Sequence, residues 1–97
     1  MISPLYRIRR CLETGDYILR AHQKQRERER GVTRAEVLFV LKNGKINLNR
    51  CGFDTKLQRE KYAIQGRTID SRQLEIIVAF DEEGRLEIIT TYAIKNG

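Results

Sequence analysis

The hydrophobic positions of this chain change their period near the middle. Up to Gly44 they recur every three or four residues, and beyond it they alternate, the marks of helix and of half-buried strand. Ser3-Pro4 opens the first helix, with Ser as N-cap and Pro at the first helical position. Leu5, Ile8 and Leu12 form its apolar stripe, and Gly15 closes it. Residues 16–19 are short and fit either a strand or a linker. Residues 21–30 favour helix by propensity, although the run carries almost no apolar periodicity, and Gly31 stops it. Thr33, with Glu36 three residues on, makes a capping box. Val37, Leu38, Val40 and Leu41 then supply a buried face that ends at Asn43-Gly44.

In the second half Ile46 and Leu48 alternate with polar neighbours and predict a strand. Residues 51–59 read as a loop, followed by a strand through Lys61, Tyr62, Ile64 and Gln65. Residues 74–80 are apolar and β-branched enough for a central strand; 81–84 make a hairpin turn and 86–94 the last strand. Helices followed by a meander of strands predict an α+β domain. The expected form is two to three N-terminal helices packed on a small, mostly antiparallel sheet, with residues 1–97 as a single domain.

Composition narrows the class. A chain of 97 residues buries about 60–65% of the surface its unfolded form exposes, enough for one modest core. No apolar run approaches the ~20 residues of a membrane span, and Met1-Ile2-Ser3-Pro4 lacks the features of a secretory signal. Cys11 and Cys51 stand far apart and match no zinc or redox spacing. Cys51 beside Gly52 reads as a small buried hydrophobe rather than a nucleophile. The expectation is a small cytoplasmic protein with no structural metal, no cofactor and no membrane association.

Charge is where function first shows. The net charge is +6, and all of it lies before Ile46. Residues 1–45 hold 11 Lys/Arg against 5 Asp/Glu, and residues 46–97 hold 8 of each. Arg20, Lys24, Arg26, Arg28, Arg30 and Arg34 crowd one stretch, offset only by Glu27 and Glu29. Such a patch attracts polyanions; equally, neighbouring Arg and Glu on a solvated helix pair with each other.

If residues 21–30 are helical, His22, Arg26 and Arg30 fall on one stripe. Histidine suits general acid–base work near neutral pH, and arginine grips phosphate oxygens with paired hydrogen bonds. One proton shuttle beside two phosphate clamps suits RNA cleavage without a metal. The plain alternative is a histidine that caps or packs while the arginines face water. Lys61-Tyr62 and Thr90-Thr91-Tyr92 put further polar groups on strands, where Tyr can stack on a base and Lys can neutralise phosphate. A Tyr ring in the core with its hydroxyl at the rim explains them as well.

The run His22-Gln23-Lys24-Gln25-Arg26, Arg30-Gly31-Val32-Thr33, Glu36-Val37 and Asn43-Gly44 resembles the signature of the bacterial family catalogued as domain of unknown function 4258. Lys61-Tyr62, the strand over 74–80 and Ile88-Ile89-Thr90-Thr91-Tyr92 resemble its later part, so the likeness covers about residues 17–93. Gln23 and Glu27 depart from the family's usual Ala and Met, which adds polarity and is expected to weaken the packing of that helix. The family in turn is similar to small RelE- and MqsR-type toxins, which cleave RNA without metal from a helix pair on a curved antiparallel sheet. The resemblance implies His22, Arg26, Arg30, Lys61 and Tyr92 as catalytic residues. Arg20, Lys24, Arg28 and Arg34 remain as nucleic-acid contacts. It also implies RNA, possibly on the ribosome, as substrate and an acidic antitoxin as partner.

Three functions are therefore open: an endoribonuclease toxin, a nucleic-acid-binding module without catalysis, and a protein-interaction domain.

Overall fold

The computed structural model describes residues 3–94. Three helices and six strands form an α+β fold: α1 (Pro4–Thr14), β1 (Tyr17–Leu19), α2 (Ala21–Arg30), α3 (Arg34–Asn43), β2 (Lys45–Ile46), β3 (Gly52–Asp54), β4 (Arg59–Arg67), β5 (Gln73–Phe80) and β6 (Leu86–Ile94). The helix ends follow the local chemistry. Ser3 Oγ accepts the Tyr6 N–H at 3.1 Å, and Gly15 takes the left-handed φ of 75° that closes α1. At α3 the Thr33 hydroxyl accepts the Glu36 N–H while Glu36 Oε1 accepts the Thr33 N–H. The Thr33 N–H, followed by the Arg72 guanidinium, holds the Glu36 carboxyl below its ordinary range.

The sheet runs β1-β6-β5-β4-β2, and β3 also pairs with β4. All pairings are antiparallel except β1 on β6. The helices are therefore not one N-terminal block, because β1 intervenes between α1 and α2 and joins the far edge of the sheet. Two further expectations change. The strand through Leu48 is only Lys45–Ile46, followed by a 3-10 turn at Leu48–Arg50 that leaves Leu48 76% exposed. The stretch 51–59 is not all loop, because it contains β3.

One face of the sheet carries the core. Ile64, Leu74, Ile76, Val78, Leu86 and Ile88 pack against Ile8 and Leu12 of α1 and Val37, Val40 and Leu41 of α3. The end of α3 comes so close to β4 that a Cβ on Gly44 would lie 2.3 Å from the Gln65 carbonyl oxygen; only glycine fits there.

Two irregularities position the opposite face. β1 pairs only with Leu86–Ile88, which leaves the rest of β6 as an edge. α2 follows β1 directly and packs along β6, covering that edge. The second irregularity is a β-bulge: Val78 pairs with Ile88 and Ile77 with Thr90, so Ile89 is the extra residue. Before the bulge Leu86 and Ile88 face the core; after it Thr91 does, opposite Ile76.

Candidate functional site

The residue inserted at Ile89 turns Thr90 and Tyr92 to the face away from α1 and α3. Continued alternation from Leu86 would have sent both into the core. With the bulge in place they join Ile77 of β5 and Lys61 of β4 along a groove of about 200 Å³. His22 of α2 lines the same groove, as do Arg50 from the 3-10 turn and Asp54, Lys56 and Leu57 around the turn that follows β3.

Three of the five residues singled out as catalytic, His22, Lys61 and Tyr92, thus come together from three elements. The other two attach to them. Arg26 Nε donates to His22 Nε2 over 3.0 Å, as helical spacing of four allows. Nε2 is then the acceptor, and the neutral ring carries its proton on Nδ1. Arg30 Cζ stands 6.0 Å from the Tyr92 ring centroid, at the outer limit of a cation–π contact, roughly 6 Å.

The four arginine and lysine positions expected to touch nucleic acid separate. Lys24 and Arg28 are exposed but sit about half a turn round α2 from His22, facing away from the groove. Arg34 Nε lies 3.6 Å from Glu27. Arg20 Nη1 is bound to Glu87 at 3.0 Å, which Arg59 also holds at 2.5 Å. These last two arginines are engaged within the fold.

Residues missed from the sequence complete the electrostatics. Arg50 Nε binds the buried Glu75 carboxylate at 2.7 Å, and its side chain remains 56% exposed. Asp54 lies 3.4 Å from Lys61; the Leu57 N–H first, and then Lys61 and the Lys56 N–H, hold its carboxyl below the ordinary range. Against two paired carboxylates, Asp54 and Glu75, the groove sets Arg50, Lys56 and Lys61, a balance of one positive charge that favours anions. Nothing in the polar run around Asn49-Arg50 signals a contact with Glu75 of a distant strand.

The polar residues at Gln23 and Glu27 of α2 find partners within the fold. Gln23 is fully buried, where its Oε1 accepts the Thr91 hydroxyl at 2.8 Å and its Nε2 donates to Glu27 at 3.1 Å. Both cysteines are free and half-buried; Cys51 Sγ is taken up by backbone groups of Asn47 and Ala63.

The family described as Domain of unknown function (DUF4258) matches residues 19–93, the greater part of the chain. The chain belongs to that family. The DUF4258 span begins at the last residue of β1, includes every groove residue named above, and leaves out α1. No curated protein matches the chain, and no solved structure does. Among the described residues, no group of three or more His, Cys, Asp or Glu is placed to hold a metal ion. No described helix is long and apolar enough to cross a membrane.

Proposed function

We propose that this DUF4258 chain is a metal-independent endoribonuclease, the toxin of a toxin–antitoxin pair, acting on cytoplasmic RNA, free or on the ribosome. One observation carries the reading: His22, Lys61 and Tyr92, from three separate elements, line one groove together with Arg50 and Lys56.

His22 removes the proton of a ribose 2′-hydroxyl, whose oxygen bonds to phosphorus as the bond to the 5′-oxygen breaks. Tyr92 returns a proton to the departing 5′-oxygen, and a 2′,3′-cyclic phosphate remains. Arg26, Arg50 and Lys61 meet the charge that builds on the phosphate. A phosphate arriving at Arg26 draws the guanidinium off the ring and frees the Nε2 lone pair, so substrate binding itself activates the base. The reading follows from the similarity of the family to RelE- and MqsR-type toxins expected from its sequence motifs, and a +6 chain is a natural mate for an acidic antitoxin.

A second reading, nucleic-acid binding without cleavage, is favoured by the same hydrogen bond, because Arg26 already occupies the acceptor a base would need. Incubating mixed-sequence RNA with purified protein in EDTA separates the two. The nuclease gives cyclic-phosphate ends, and His22→Ala lowers the rate by about a hundredfold or more. RNA that stays intact both alone and with ribosomes added, yet is retained by the protein, leaves only the binding module.

A further inference from the structure

The floor of the groove holds a polar group with nothing to bind. Thr90 is 6% exposed, and its hydroxyl is buried with no hydrogen-bond partner among the described residues. A buried hydroxyl left unpaired is costly and uncommon. Its neighbour Thr91, facing the other way, is satisfied by Gln23. The bulge at Ile89 thus brings Thr90 to a place where a valine would fit the protein's own packing better.

Around Thr90 the groove is divided in character. Ile77 and Ile89 make an apolar floor, Tyr92 offers an aromatic ring, and Arg50, Lys56 and Lys61 supply positive charge. At about 200 Å³ it falls below the roughly 300–1,000 Å³ of sites for drug-sized ligands. A cleft of this size suits one inserted base.

We propose that Thr90 is a specificity-determining residue whose hydroxyl binds the polar edge of a single unpaired nucleobase seated on Ile77 and Ile89. The adjoining phosphate lies on Arg50, Lys56 and Lys61. The proposal rests on reading the groove as an RNA site, and it makes the substrate single-stranded, since a duplex has no free base edge to insert. A hydroxyl donates and accepts, so it can meet either kind of edge. A rotation of roughly 120° about χ1 carries the Thr90 hydroxyl to another staggered position, where it can meet a base seated in the groove.

The test is equilibrium binding of uncleavable 2′-O-methyl A, C, G and U homo-oligonucleotides, and of a matching duplex, to wild type, Thr90→Ser, Thr90→Val and Thr90→Ala. Wild type is expected to prefer one base and to bind the single strand above the duplex. Thr90→Ser keeps that preference. Thr90→Val and Thr90→Ala weaken the preferred strand by about two- to tenfold and flatten the series, while Thr90→Val melts at a higher temperature than wild type. An unchanged base series in Thr90→Val overturns the proposal, as does equal binding of strand and duplex by wild type. Base preference erased by Thr90→Val in a protein that cuts no RNA leaves the subsite standing and removes the nuclease. RNA cleaved by wild type with an unaltered Thr90→Val series does the reverse. Wild type that binds none of the strands removes the subsite, and the cleavage assay then decides the nuclease.

Discussion

The two faces of the sheet solve different problems with the same strands. On the face toward α1 and α3, Ile76, Val78, Leu74, Leu86 and Ile88 are wholly buried among aliphatic partners. Apolar area removed from water there contributes about 25 cal/mol per Å². On the other face two carboxylates, Glu75 and Glu87, are nearly as buried, at 4% and 7% exposure. Each is matched by arginines reaching in from outside β5 and β6: Arg50 to Glu75, and Arg20 with Arg59 to Glu87. Burying such charges costs free energy even when they are paired. This face buries charge where the other buries aliphatic side chains, and its Arg50–Glu75 pair fixes one of the cations that line the groove.

The contrast can be broken first from the aliphatic side. Ile76→Ala leaves a cavity in the middle of the core and is expected to cost about 2–5 kcal/mol, read from urea unfolding. A loss under about 1 kcal/mol would mean that this face is not the stabilising one. The groove side should respond less. Glu87→Gln leaves Arg20 and Arg59 without their carboxylate, but both arginines keep contact with water, so about 1–3 kcal/mol is expected. An unchanged urea midpoint would show that the pairing contributes nothing to stability.

The smallest effect sharpens the comparison through pH. The Asp54 carboxyl is held below its ordinary range in the folded chain by the Leu57 N–H and by Lys61. Its folded value lies below its unfolded one, so it stabilises above about pH 4 and loses that contribution as pH falls through the folded value. Melting temperatures followed from neutral pH down to about pH 3 should fall less steeply in Asp54→Asn than in wild type. Parallel curves would count against the contact.

Much of the fold is legible in the sequence because its signals are local. Ser3-Pro4, the pair Thr33 and Glu36, and the stops at Gly15 and Gly31 mark helix ends that the structure places there. The strands β5 and β6 follow from β-branched runs around Asp81–Gly84. What stays hidden depends on partners far along the chain. β1 is three residues long and becomes a strand only by lying against β6, and Gly52-Phe53-Asp54 has no alternation to announce β3. The stripe of His22, Arg26 and Arg30 is plain helical spacing, whereas Arg50 enters the groove through Glu75, a residue of another strand. Gln23 looks like a flaw on α2 until Thr91 is seen opposite it.

The extra residue at Ile89 gives β6 two reading frames. Its first half is in phase with the core through Leu86 and Ile88, and its second half is in phase with the groove through Thr90 and Tyr92. A substitution in this strand alters one side chain. Taking Ile89 into the ladder opposite Ile77 would instead act as a frameshift in three dimensions, sending Thr90 and Tyr92 among the aliphatic residues and Thr91 away from Gln23. The composition of the strand would not change at all, yet its second half would exchange one face for the other.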